Sequence, residues 1–414
     1  PTSAQAFAQH IHQVRGAIGD GVYPDRISQG SSGSYFCRNQ AGTIVGVFKP
    51  KNEEPYGQLN PKWTKWFHRN LCPCFFGRSC LIPNSGYLSE SAASLVDQCL
   101  GLNIVPRTEI VLLAAPTFHY SARDRRAATR SHRPLPAKMG SFQLFLEGYT
   151  DATRFLQQHP WTPAPSSHSH SHVAEPPVAS MGFRNQIQRP GPPWSELRHQ
   201  SSTHSVADPF QWTPQLRQQF REELEKLILF DYLVRNTDRG ADNWMIKYCT
   251  GGCSPSSTSP GPLGTGASLA ASPATNPFQD PGLDVPPPHA THPHLHIAAI
   301  DNGLAFPFKH PDEWRSYPYA WLSLPSSLVG ASFSTASRAH FLPLLTSPHW
   351  WHQTISELKD LARIDPGFNL AMFNRQMAVM KGQAWNIIRV LRDGRMGPLD
   401  LADRPPVLVN RYDI

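Results

Sequence analysis

The chain has 414 residues, 40% of them apolar, and a formal net charge of +7. That length suits two lobes or two domains around a sizeable core, and the basic balance favours anionic partners: phosphates, acidic membrane or nucleic acid. No run approaches the ~18 consecutive apolar residues of a spanning helix, and seven scattered cysteines form neither a paired disulfide framework nor a complete zinc spacing, even at "CPC" (Cys72, Cys74). Such cysteine usage fits a reducing cytosolic setting. The chain begins at Pro1, which leaves room for an upstream targeting or regulatory segment.

In chain order, "AFAQHIHQVRGAIGDGV" carries Phe7, Ile11, Val14 and Ile18 at helical spacing and stops at glycines. Two strands follow, Ser34–Arg38 and Thr43–Lys49, joined by the turn "NQAG". "SESAASLVDQCLGL" predicts a helix capped by Ser89, and "VPRTEIVLLA" and "GSFQLFLEGY" predict further strands. Residues 160–210, with "HSHSHSH", and residues 250–294 are rich in Pro, Ser, Gly or His and lack apolar periodicity. They are expected to be disordered insertions, the paired histidines being solvated linker or a metal grip. Between them, Pro214–Val234 predicts a helix. "HIAAIDNGLAFPF" begins as a buried strand and turns at Asn302-Gly303, and the last third is helical. Strands first and helices later, with a joint near residues 142–149, predict an α+β fold with a small β-rich lobe and a mostly helical one. The expected division is 1–146 and 147–414.

Three polar sites end structured elements. "GSSGSYF" is a Gly/Ser turn whose backbone N–H groups can approach an anion. Lys49 ends an apolar strand one hairpin later, where kinases place a phosphate-neutralising lysine, although Lys51 competes for the role. Asp238 and Asn243 have the D-x-x-x-x-N spacing of a kinase catalytic loop, and Asp301 ends a buried strand as a second metal carboxylate. One carboxylate and one amide oxygen, together with phosphates, suffice for Mg2+ or Mn2+. Each feature alone is also ordinary turn chemistry. The four together, in this order, point to phosphoryl transfer from ATP.

No H-R-D, D-F-G or A-P-E motif is present. Instead "GSSGSYF", "VFKPKNEEPYGQLNPKWTKW", "GYLSESAASLVDQ", "LNIVPRTEIV", "GSFQLFLEGY", "RNTDRGADNWMIKY" and "AAIDNGLAFPFKHPDEWRSYPY" resemble the type II phosphatidylinositol 4-kinases. The resemblance runs from about Phe7 to Val409, broken by the two insertions. It implies a two-lobed protein-kinase-like fold and transfer of the ATP γ-phosphate to the 4-hydroxyl of phosphatidylinositol; the alternative is a catalytically weak membrane-bound scaffold with a kinase fold. By position it implies that Ser32, Gly33 and Ser34 cover the phosphates and that Lys49 meets them. Gln143, Leu144, Phe145, Leu146 and Glu147 form the adenine hinge. Asp238 is the catalytic aspartate, as base or as orienter of the hydroxyl, with Asn243 and Asp301 on the metal. Glu90 is placed to pair with Lys49. Arg239 either fixes the loop through a salt bridge or contacts lipid phosphate. Asn236 and Asp242 read as turn-shaping.

A lipid substrate requires a bilayer surface. In residues 60–80, basic Lys62, Lys65, Arg69 and Arg78 alternate with Trp63, Trp66, Phe67, Phe75 and Phe76, a pattern that suits an anionic interface or, alternatively, core packing with solvated charges. The resembled family carries a palmitoylated C-C-P-C-C here. This chain keeps Cys72 and Cys74 between Leu71 and Phe75. The run 123–138 is a second lipid-facing patch or a charged loop. The resemblance implies a peripheral enzyme on the cytosolic face of Golgi, endosomal, vacuolar or plasma membranes, with no nucleic-acid partner and no transmembrane span.

Overall fold

The computed structural model describes residues 2–28, 33–54, 78–161, 210–250, 292–312 and 316–410. Helix α1 (Ala4–Gly19) starts where the Ser3 hydroxyl accepts the Ala6 N–H, and it buries the expected Phe7, Ile11 and Val14. Strands β1 (Asp25–Arg26), β2 (Tyr35–Arg38) and β3 (Ile44–Pro50) follow, β2 and β3 being the predicted hairpin. Its turn is held by Asn39, whose side chain accepts the Thr43 N–H at 2.9 Å. A single 3-10 turn, Lys51–Glu53, ends this run.

Helix α2 (Gly86–Leu100) begins earlier than predicted. Ser89 is not its cap: it is buried inside the first turns and donates to Ala305 O at 3.1 Å. The N-terminal amides of Gly86 and Tyr87 are instead accepted by the Glu54 carboxylate at 3.1 and 2.7 Å. A carboxylate brought by the fold has displaced the local cap. Strand β4 (Thr108–Leu113), helix α3 (Ala122–Ser131) and strand β5 (Lys138–Leu144) complete a five-stranded antiparallel sheet of order β1-β2-β3-β5-β4. The basic run 123–138 is therefore largely helix rather than loop. Lys138 faces no lipid: it is buried and paired with buried Glu53 at 2.6 Å. Gly46 lets β3 and β5 close, since a Cβ there would lie 2.3 Å from the Phe142 ring.

The second half contains a sheet the sequence reading did not anticipate in full. Strands β6 (Thr150–Asp151), β7 (Trp244–Cys249) and β8 (His294–Ala299) form a three-stranded antiparallel sheet, with helix α4 (Ala152–Gln158) starting directly from β6. Helix α5 (Pro214–Leu233) precedes β7; the Thr213 hydroxyl accepts Leu216 N–H and Pro214 opens its first turn. Helices α6 (Ser326–Val329), α7 (Thr335–Leu345), α8 (Pro348–Ala362), α9 (Leu370–Arg392) and α10 (Pro398–Ala402) surround it. One large core joins α5, α8 and α9 to one face of β7 and β8, and it also takes Ala93, Val96 and Leu100 of α2. A smaller core fills the space between α1 and the five-stranded sheet. The predicted insertions fall almost wholly outside the described residues.

Two further small clusters lie on the two sheets. Ile27, Phe36 and Val47 line the five-stranded sheet, with Phe145 against them. Met245, Ala298 and Ile300 line the three-stranded sheet, with Leu146 and Tyr149 against them. Consecutive residues of the connection from β5 to β6 thus pack on opposite lobes. The cluster on the five-stranded sheet is the roof, and that on the three-stranded sheet the floor, on either side of that joint.

Candidate active site

The turn that leads into β2 is built around Glu53. The Gly33 N–H donates to Glu53 O at 3.0 Å, and Ile27 N–H donates to Ser34 O at 2.8 Å. A Cβ on Gly33 would lie 2.4 Å from Glu53 Oε2, so glycine is required by the carboxylate beneath it. That carboxylate accepts Tyr35 O–H and Lys138 Nζ at 2.6 Å each and His119 N–H at 3.1 Å. Burial and the Glu53 hydrogen bond hold the Tyr35 phenol well above its ordinary range, and burial lowers Lys138. This network carried no motif. Its one sequence signal was the acid pair Glu53-Glu54, four residues beyond the strand lysine Lys49. Ser32 lies outside the described residues.

Lys49 and Lys51 separate cleanly. Lys49 Nζ donates to Glu90 Oε1 at 2.5 Å and to Asp301 Oδ1 at 2.9 Å, joining β3, α2 and the turn after β8. Burial alone would lower its pKa, but the charges of Asp301 and Glu90 outweigh it, so the net shift is upward and the amine stays charged. Lys49 in turn holds the Asp301 carboxyl below its usual range, whereas burial pushes Glu90 up. Lys51 points elsewhere: its Nζ reaches Asp365 Oδ2 at 2.6 Å, which also accepts Tyr87 O–H at 2.6 Å.

The catalytic-loop segment is shaped by the end of α5. Arg235 adopts φ 47, a left-handed turn that stops the helix, and the Asn236 N–H closes back on Asp231 O at 2.9 Å. Arg239 then folds inward and is wholly buried. Its Nε donates to both Asp231 oxygens at 2.9 Å, and its other nitrogens donate to the carbonyls of Asn243 and Ile300 and to Asn302 Oδ1. The Asp231 carboxyl is pushed by burial to about 6 despite the guanidinium, and so remains ionised at neutral pH. Arg239 is a structural clamp, not a lipid contact. It ties together Asn243 before β7 and Ile300 after β8, whose backbones are themselves bonded at 3.0 Å.

The clamp brings Asp238, Asn243 and Asp301 to one end of the β7–β8 pair. Asp301 sits at φ 56, the left-handed region that Asp tolerates better than most residues. Asn243 Nδ2 donates to Asp238 O at 2.7 Å, which leaves its amide oxygen as the hard donor. Asn236 exceeds turn-shaping: it is buried, its Oδ1 accepts the Asp238 N–H at 2.9 Å, and its Nδ2 meets Asn302 Oδ1 at 3.4 Å. Asn302, whose N–H donates to Glu90 Oε2 at 3.1 Å, links this loop to α2. Asp238 is paired with Arg78, whose guanidinium lies 4.2 Å from the Tyr317 ring centre. Arg78, one of the basic residues of the 60–80 pattern, is thus an ion-pair partner of Asp238.

At the hinge, Gln143 is buried on the sheet face of Val47 and Lys49, and its side-chain nitrogen has no hydrogen-bond partner among the described residues. The Leu144 N–H donates to Arg107 O and the Phe145 N–H to Val45 O, each at 3.0 Å. Those two amides extend the sheet, while Leu146 packs on the floor cluster. Lys62, Trp63, Lys65, Trp66, Cys72, Cys74, Phe75 and Phe76 lie outside the described residues.

The phosphatidylinositol 3- and 4-kinase family matches residues 30–387. Phosphatidylinositol 4-kinase type 2-alpha of Danio rerio is 42% identical over 97% of this chain and 76% of its own length. The type 2-beta enzyme of the same fish is 41% identical over 98% and 69%. The chain belongs to the type II phosphatidylinositol 4-kinases. Phosphatidylinositol 4-kinase LSB6 of Saccharomyces cerevisiae is 41% identical over 92% of this chain, which spans 58% of the yeast protein. A solved Golgi casein kinase with Mn and ADP bound covers 100% of this chain and 80% of its own at 13% identity and a TM-score of 0.41, too distant to argue from. This kinase phosphorylates phosphatidylinositol at the 4-position, drawing on ATP and a divalent metal as kinases do. Among the described residues no helix is long and apolar enough to cross a membrane.

Proposed function

We propose that Lys49, Asp238, Asn243 and Asp301 carry the transfer, and that the roof and floor clusters hold the adenine ring. The observation that supports this reading is the Lys49–Glu90–Asp301 cluster, which joins both lobes at the edge of the apolar slot. Ile27, Phe36 and Val47 would cover one ring face and Met245, Ala298 and Ile300 the other, with the unpartnered Gln143 nitrogen available to the base. The charged Lys49 amine would meet the nucleotide phosphates, with the Gly33–Ser34 backbone over them.

The donor set fits a hard cation: an ionised carboxylate on Asp301 and an amide oxygen on Asn243, with no sulfur or imidazole between them. Magnesium or manganese bound there would neutralise charge developing on the phosphates. Asp238 Oδ would take the proton of the inositol 4-hydroxyl, or align that hydroxyl, as its oxygen attacks the γ-phosphorus and ADP departs. Arg78 and the Asn236 bond fix where the aspartate stands. Residues 60–80 would hold the site at an anionic bilayer, with Cys72 and Cys74 as acylation candidates and Golgi, endosomal or vacuolar membranes as locations. The test is labelled-phosphate transfer to vesicles of phosphatidylinositol, compared with vesicles of its phosphorylated forms. Asp238→Ala is expected to abolish transfer while leaving nucleotide binding intact; transfer at the unsubstituted rate would refute the assignment.

A further inference from the structure

Toward the other end of the β7–β8 pair from Asp301, Cys249, His294 and His296 bring one sulfur and two imidazoles together with their ligand atoms within 4.8 Å of one another. The sheet register explains why. Cys249 pairs directly with His294, and His296 is two residues further along β8, so all three side chains stand on one face. This is also the face of Met245 and Ala298, but Cys249 lies four residues beyond Met245, roughly 13 Å along the strand. His294 is buried, and its Nδ1 lies 2.9 Å from His292 O. A carbonyl can only accept, so Nδ1 carries the proton and Nε2 is left with a lone pair. That buried Nε2 has no hydrogen-bond partner among the described residues. A backbone carbonyl fixing the tautomer of a histidine is the arrangement that surrounds metal-bound imidazoles. On the same face Lys247, opposite His296, is occupied at the hinge: its Nζ donates to Glu147 O at 3.2 Å and lies near the Tyr149 ring.

We propose that Cys249, His294 and His296 bind a zinc ion, separate from the magnesium or manganese of phosphoryl transfer. Thiolate and imidazole are the donors a borderline-soft ion takes and a hard one refuses, and three protein ligands leave a fourth position for water. Zinc lies ~2.3 Å from sulfur and ~2.0–2.1 Å from nitrogen in such sites, so small side-chain rotations close the present spacing. On binding, the Cys249 thiol gives its proton to solvent and the thiolate coordinates the metal. The ion would staple the exit of β7 to the entry of β8, closing the base of the long excursion between them.

The test uses the full chain, stripped of metal and titrated with Co2+ and then Zn2+. One equivalent of Co2+ is expected to give a thiolate-to-cobalt charge-transfer band that Zn2+ abolishes. Cys249→Ser should remove the band, and His296→Gln should weaken the affinity at least about tenfold. A chain with His168, His170 and His172 replaced by Ala should keep the band, since a histidine-only tract contributes no thiolate. Zn2+ should raise the melting temperature of the unsubstituted protein and not that of His296→Gln. Absence of the band, or its survival in both Cys249→Ser and His296→Gln, would overturn the proposal.

Discussion

Replacing Glu90 by Ala tests the joint between the lobes most directly. The Glu90 side chain is only 3% exposed and makes two bonds, accepting Lys49 Nζ at 2.5 Å and Asn302 N–H at 3.1 Å. Its loss leaves Lys49 with Asp301 alone, so on the proposed roles the amine is drawn toward that carboxylate and away from the nucleotide phosphates. A hydrogen bond to a charged group contributes about 1.5–3 kcal/mol. If that stabilisation is lost from the transition state, kcat/KM for ATP falls roughly tenfold to a hundredfold. Lipid-kinase kinetics at saturating phosphatidylinositol measure this, with circular dichroism confirming the fold. Glu90→Gln keeps an acceptor for the Asn302 amide and should lose less. Activity of Glu90→Ala within twofold of the unsubstituted protein would refute the reasoning.

Arg239→Met leaves the Asp231 carboxyl buried without its guanidinium, which pushes its pKa further up and should destabilise the protein by about 3–5 kcal/mol in chemical denaturation. Adding Asp231→Leu should recover part of that, because no buried charge then remains. Arg78→Ala frees Asp238 from its guanidinium and is expected to lower kcat roughly tenfold; Arg78→Lys should not restore it fully, since the planar contact with Tyr317 is lost. Burial pushes the carboxyls of Asp97 and Glu54 up to about 7, above their unfolded values. Between those unfolded values and about pH 7 the folded state therefore binds more protons, so these groups reduce stability as pH rises through that window. Melting temperatures from pH 5 to pH 8 should accordingly fall less steeply for Asp97→Asn than for the unsubstituted chain.

Where the candidate site residues stand in the fold was largely legible, because they sit at the ends of periodic elements. The oily stretch before Arg235 and the apolar run in "HIAAI" placed Asp238 and Asp301 at the mouths of a helix and a strand. What sequence could not rank was Lys49 against Lys51, since they lie two residues apart and carry the same charge. The fold separates them by bringing Glu90 and Asp301 to one and Asp365 to the other. Ser89 failed as a cap for a similar reason. Local hydroxyl chemistry was sound, but Glu54, distant along the chain, supplies a stronger acceptor to the same helix end.

The sequence by itself determined the family, the order of strands and helices, and the residue types of phosphoryl transfer, because these depend on short-range spacing and propensity. Only the tertiary structure decided that Arg239 is a buried clamp, that Arg78 stands on Asp238, and that Cys249 meets His294 and His296. Those contacts join residues far apart along the chain, and no periodicity records them. They exist because buried charges must find partners and because the register of β7 against β8 fixes which side chains share a face.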